Sequence, residues 1–221
     1  MKSQDAFQYL WHASIIANGL AFFAGLYCIK RLNVYLKILL LLVCVGLIID
    51  IASFFLIKEK INNFYLFRFY SVFEFSLWVF FYFLFYKEHV RSYPIIFSLI
   101  PVFFVVCYID YRFNGLNSMD DLSTSIESLI LTFFSLVSFS LIMVRNNFKN
   151  LLSTPFFYIN TGVLLYFLGN LSLFAFINYI SKIESENYTA TWAIHSILNI
   201  IFNLLLFIAF LKSKTKWIFQ P

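Results

Sequence analysis

Residues 64–86 read FYLFRFYSVFEFSLWVFFYFLFY, and the fold of the whole chain depends on how this stretch is read. Its aromatic runs, such as Val79-Phe80-Phe81-Tyr82-Phe83, suit β-strands in a water-soluble protein. The stretch is also long enough to cross a hydrocarbon core of about 30 Å as one helix. Strands of a membrane β-barrel would be about ten residues long and would alternate apolar with polar side chains. The stretch does neither, so it is expected to be a transmembrane helix, ended by Lys87-Glu88.

Six further apolar runs carry the same signature. They cover about 10–29, 38–57, 94–109, 122–144, 156–180 and 192–211. The expected fold is all-α: one transmembrane domain, 1–221, built as a bundle of seven helices. Composition agrees. The chain is 221 residues long, 62% hydrophobic and 12% charged, with a mean hydropathy of +0.83. Too little polar surface exists to cover a soluble globule, and too little charge to keep the chain disordered. Seven spans leave no room for a soluble catalytic domain. The net charge of +5 is spread over short loops with no run of like charges, so no nucleic-acid partner is expected. Cys28, Cys44 and Cys107 lie inside apolar runs and have no ligand spacing, so neither a disulfide nor a cofactor is expected from them.

Basic residues set the orientation. Lys30, Arg31, Lys37, Lys87, Arg91, Arg145, Lys149, Lys212, Lys214 and Lys216 fall on one side, and only Lys2, Lys58, Lys60, Arg112 and Lys182 on the other. The positive-inside rule puts the N-terminus outside and the C-terminus in the cytoplasm. Acidic residues including Asp110, Asp120, Asp121 and Glu184 are then expected in outer loops. Short loops and compactness point to a bacterial inner membrane. The fourth helix is short, contains Pro101 and has no polar stripe. It is expected at the periphery, kinked, and linking two three-helix halves in a three-one-three arrangement. A faint pattern supports such halves: Ser71-x-x-Glu74 in helix three matches Ser196-x-x-Asn199 in helix seven.

Polar residues inside the spans are expensive and need partners within the bundle. They concentrate in the outer half. Tyr70, Glu74 and Trp78 share a face of helix three, and His195, Asn199 and Asn203 a face of helix seven. Asp50, Glu127 and Asn170 sit at comparable depths in helices two, five and six. On helix one, Ser14, Asn18, Ala21 and Gly25 form a small-residue stripe suited to close packing. The Ser and Thr stripe of helix five, Ser128, Thr132, Ser135 and Ser138, reads the same way. Arg68 is the one cation within these apolar runs, and it is expected to pair with Asp50 on the neighbouring helix.

The expected function is binding of a small solute or cation, for transport or sensing, in a polar pocket open to the outside. The candidate ligand-binding residues are Glu74, His195, Asn199, Asp50, Arg68, Tyr70, Asn170 and Glu127. Glu74 would carry a proton or hold a cationic group, with His195 tuning it. An alternative is an intramembrane lipid hydrolase whose metal is held by Asp50, Glu74, His195 and His12. Against it, no HxxxH or HExxH spacing occurs. A second alternative is a non-catalytic subunit or effector acting through a membrane partner or a second copy of itself. Helix seven has no lysine before Lys212 to carry a retinal Schiff base, and no Pro-Gln pair occurs in any helix.

Overall fold

The computed structural model describes residues 3–87, 93–116, 118, 121–144, 148–175 and 185–214. These residues form seven α-helices: α1 (Ser3–Tyr27), α2 (Val34–Lys58), α3 (Phe64–Lys87), α4 (Leu99–Asn114), α5 (Asp121–Val144), α6 (Pro155–Phe174) and α7 (Ser185–Leu211). Short 3-10 turns flank some of them, and no strand occurs among the described residues. Each helix region contains a segment long and apolar enough to cross a membrane. Large apolar side chains such as Ile16, Phe23, Phe69 and Phe133 are turned outward. Such a surface would drive aggregation in water and is ordinary against lipid. The chain has the make-up of an integral membrane protein.

Local chemistry sets the helix ends. The Asn33 side chain accepts the Leu36 amide at 3.0 Å and caps α2. Thr154 precedes α6, and Pro155 takes its first position, where a missing N–H costs nothing. Gly115, at φ 76°, ends α4 in a conformation that other residues rarely adopt.

Helix four departs most from expectation. It starts later, at Leu99, after a 3-10 segment Tyr93–Ser98, and runs on to Asn114 rather than stopping at Ile109. Pro101 therefore falls in its first turn, where proline is tolerated, and not at a mid-helix kink. Asp110 is inside the helix and fully buried, not in an outer loop. Helices one and seven begin several residues earlier than hydropathy suggests. The end expected for helix six, at Ile180, lies outside the described residues, as do the loop charges Lys2, Arg91, Asp120, Arg145, Lys182, Glu184 and Lys216.

The helices pack in a closed order. α1 lies along α7, α7 along α6 and α6 along α5, while α2 joins α1 to α3. α4 touches α3 and α5 at the edge of the bundle, where Phe103 stacks on Phe75 with ring centroids 4.1 Å apart. The small residues Ala17, Asn18 and Ala21 of α1 are buried. Gly169 of α6 leaves space that Leu198 of α7 occupies. α3 is the central element. At its C-terminal end, Trp78, Phe81, Tyr82 and Phe85 are fully buried among rings from α5, α6 and α7. The Phe85 and Phe156 rings stack at 4.3 Å.

Several polar groups in this filled half bond one another across helices. The Tyr82 hydroxyl donates to Asn160 Oδ1 at 2.9 Å, and Asn160 Nδ2 donates to the Ser135 carbonyl at 3.0 Å. Ser135 Oγ donates to the Asn160 carbonyl at 2.9 Å, and the Tyr86 hydroxyl to the Phe134 carbonyl at 2.7 Å. These bonds fasten α3, α5 and α6 together where no water could compete.

Candidate functional site

The other half of the bundle is hollow. A cavity of about 140 Å³ is lined by residues of α1, α2, α3, α5, α6 and α7, that is, every helix except α4. It lies toward the end of the bundle where α3, α5 and α7 begin and α2 and α6 end. Trp78, one turn beyond Glu74 on α3, packs against Phe167 and Phe202, two of the lining rings.

Seven of the eight expected ligand-binding residues line this one cavity: Asp50, Tyr70, Glu74, Glu127, Asn170, His195 and Asn199. Their helical spacing places them there. Tyr70 and Glu74 are successive turns on one face of α3, as are His195 and Asn199 on α7. Glu74 and Glu127 are buried, and Asp50 is partly buried. Tyr70 and Tyr166 line the same cavity as all three carboxylates. Among the described residues, no Lys or Arg lines the cavity.

Two of the acids are held from different directions. Asn18 Nδ2 donates to Asp50 Oδ2 at 2.9 Å, joining α1 to α2. Ser71 Oγ donates to Glu127 Oε2 at 2.9 Å, joining α3 to α5. Across the cavity, His195 Nδ1 lies 3.0 Å from Asn170 Oδ1. An amide oxygen can only accept, so His195 carries a proton on Nδ1. The imidazole is set among Tyr166, Phe174 and Trp192, with ring centroids 5.8, 5.2 and 5.4 Å away. Asn203 Nδ2 donates to Asn199 Oδ1 at 2.6 Å and to its carbonyl at 3.0 Å. The absence of a side chain at Gly46 makes room for two neighbours: a Cβ there would lie 3.1 Å from the Tyr70 hydroxyl and 3.4 Å from Asn18 Nδ2.

The eighth residue, Arg68, is elsewhere, and its expected pairing with Asp50 is not formed. Arg68 Nη1 lies 3.8 Å from Asp110 Oδ1, and Nη2 donates to the Ser118 carbonyl at 3.2 Å. Asp110 also accepts from the Ser123 amide at 2.9 Å, Ser123 Oγ at 2.7 Å and Asn114 Nδ2 at 2.6 Å. The extension of α4 past Ile109 is the cause. It brings a buried carboxylate against the first turn of α5 and beside Arg68, while Asn18 serves Asp50 instead. Arg68 therefore ties α3 to the α4–α5 corner behind the cavity wall.

His12 is exposed, with Nδ1 2.6 Å from the Gln8 carbonyl, and is not part of the lining. Among the described residues no three His, Cys, Asp or Glu side chains come together as a metal-ligand set. Sequence reasoning misses Tyr166 and Trp192 as lining residues and reads Asn18 and Ser128 as packing. The position of Asn18 in an apolar helix at the depth of Asp50 is a usable signal. Nothing distinguishes Tyr166 from the other tyrosines among 14.

Asn18 Oδ1 and Ser128 Oγ, both in the lining, have no hydrogen-bond partner among the described residues. A buried polar atom left unpaired costs about 1–3 kcal/mol. The site therefore combines carboxyl groups with an unpaired carbonyl and an unpaired hydroxyl, and is suited to receive a proton, a cation or a hydrogen-bond donor. No protein-family model, no curated protein and no solved structure matches this chain.

Proposed function

We propose that this integral membrane protein binds a small solute or cation in the cavity, for transport or for sensing. The reading rests on one observation: a hollow inside an apolar bundle, walled by three carboxylates and, among the described residues, by no Lys or Arg. Carboxylates withdrawn from water are costly unless something compensates them. The filled half of the same bundle joins its helices through Tyr, Asn and Ser in the bonds described above, without a carboxylate. A ligand that brings a proton or a positive charge suits the carboxylate wall.

The basic-residue bias supports an outside N-terminus and a cytoplasmic C-terminus, and the compactness and short loops support a bacterial inner membrane. That orientation puts the cavity in the outer half of the bilayer, open to external ligands. The edge position of α4 supports its role as a linker between two three-helix halves. Within the site, Glu74 carries the proton or faces the cationic group, and His195 presents Nε2 as an acceptor beside it. Asp50, held by Asn18, and Glu127, held by Ser71, complete the anionic wall. Arg68 shapes the pocket from behind by anchoring α3.

The test is Glu74→Gln in the purified, reconstituted protein. The variant keeps the shape of the side chain and loses its charge, so pH-dependent binding or flux should disappear while the protein still reconstitutes as wild type does. Unaltered pH dependence overturns the proposal.

A further inference from the structure

The chemistry of the cavity also narrows the ligand, on the reading that the cavity is a ligand site. We infer that it selects a small organic ammonium ion, one ring or a short branched chain in bulk, and rejects the corresponding α-amino acid.

Four observations converge. The first is charge. Asp50, Glu74 and Glu127 line the cavity, and Arg68 is turned to Asp110 outside it. A cationic head is attracted to this wall. The carboxylate of a zwitterion meets no Lys or Arg in the described lining and is repelled by three acids.

The second is hydrogen bonding. Asn18 spends its amide donor on Asp50, and its Oδ1 is left without a partner. Asn18 is 5% exposed and Ser128, whose Oγ is also unpartnered, is 1% exposed, and both line the cavity. Ser71 spends its hydroxyl on Glu127, and Asn203 its amide on Asn199. These three donors are engaged, while the unpaired Asn18 carbonyl stands beside the Asp50 carboxylate. An ammonium group brings three donors and no acceptor, which is the complement of that arrangement.

The third is the opposite wall. Tyr166, Phe174 and Trp192 present ring faces and edges around a His195 whose Nδ1 proton is engaged by Asn170. Aromatic faces favour cations and bury an apolar body. The fourth is size. About 140 Å³ is close to the engineered cavity of about 150 Å³ that accommodates benzene. A bare metal ion would leave most of that space empty, and a lipid would not fit.

The experiment compares three ligands of nearly equal shape on wild-type protein in nanodiscs at pH 7: phenethylamine, phenylalanine and 2-phenylethanol. Binding is read by calorimetry. Phenethylamine should bind, with phenylalanine and 2-phenylethanol each at least about 100-fold weaker. Comparable affinity for phenylalanine, or for the neutral alcohol, overturns the inference. If none of the three binds yet the reconstituted protein retains Glu74-dependent, pH-dependent flux of protons or sodium, the ligand class is wrong and the broader proposal survives. Absence of any Glu74-dependent binding or flux removes both. The comparison of the three ligands is made on wild-type protein, and Glu74 dependence is read against the reconstituted Glu74→Gln variant.

Discussion

Ser128 and Ser135 lie two turns apart on the same face of α5, and both are buried. Ser135 sits in the filled half and closes a bond to the Asn160 carbonyl at 2.9 Å. Ser128 sits at the cavity, and its hydroxyl has no partner among the described residues. The same contrast runs across the bundle. Around Tyr82 and Asn160, helix-joining polar groups are matched donor to acceptor. Around Asp50, the Asn18 Oδ1 is left without a partner and a cavity opens beside it. One half of the molecule is built to hold helices together. The other leaves a cavity walled by carboxyl, amide and aromatic side chains.

That contrast can be challenged at several positions. The largest effect is expected at the charge pair behind the cavity. Arg68→Leu leaves the fully buried Asp110 without its cation and should cost about 3–5 kcal/mol, read as a loss of thermal or denaturant stability in detergent. Adding Asp110→Asn should recover part of that loss, since the cost comes from the stranded charge. No recovery would mean that Arg68 acts through something other than Asp110.

In the filled half, Ser135→Ala should destabilise by about 1–2 kcal/mol, because the Asn160 carbonyl loses its side-chain donor. The matching change Ser128→Ala, measured in the same way, should not destabilise and should stabilise by up to about 1–3 kcal/mol, since no bond is lost and an unpaired buried hydroxyl is removed. Equal costs for the two serines would erase the distinction between the halves.

A smaller effect on stability, but a clear one on binding, is expected from Gly46→Ala. The added methyl meets the Tyr70 hydroxyl and Asn18 Nδ2 at the cavity wall. It should narrow the site and weaken ligand binding several-fold in calorimetry. The fold should change little, because the helix gains about 1 kcal/mol from losing a glycine, which offsets the crowding. Ligand affinity equal to wild type would place the binding surface away from α2.

Much of the site is legible in the amino-acid sequence. Asp50, Glu74, Glu127, Asn170, His195 and Asn199 stand out because each is a polar residue in a long apolar run, at a similar depth, on a face set by helical periodicity. Periodicity tells which residues share a face of one helix. It does not tell which neighbour that face meets. Adjacency in sequence therefore assigns Arg68 to Asp50, whereas the bundle turns it toward α4. Asp110 reads as a loop residue because hydropathy falls near Ile109. In the structure, bonds from Ser123 and Asn114 keep that carboxylate inside the helix. Tyr166 and Trp192 carry no signal, since aromatic residues are everywhere in this chain and only their neighbours make them part of a wall.

Seven helices, their approximate lengths and their preference for a lipid solvent follow from the order of the amino acids alone. They rest on local apolar runs, and in hydrocarbon a backbone can satisfy its hydrogen bonds within a single helix. Which carboxylates share a cavity, which one takes the arginine and which polar atoms are left without partners emerge only when the helices come together. Those outcomes depend on the rotation of each helix about its axis and on which helix lies next to it. Both are settled by packing among side chains far apart in the chain.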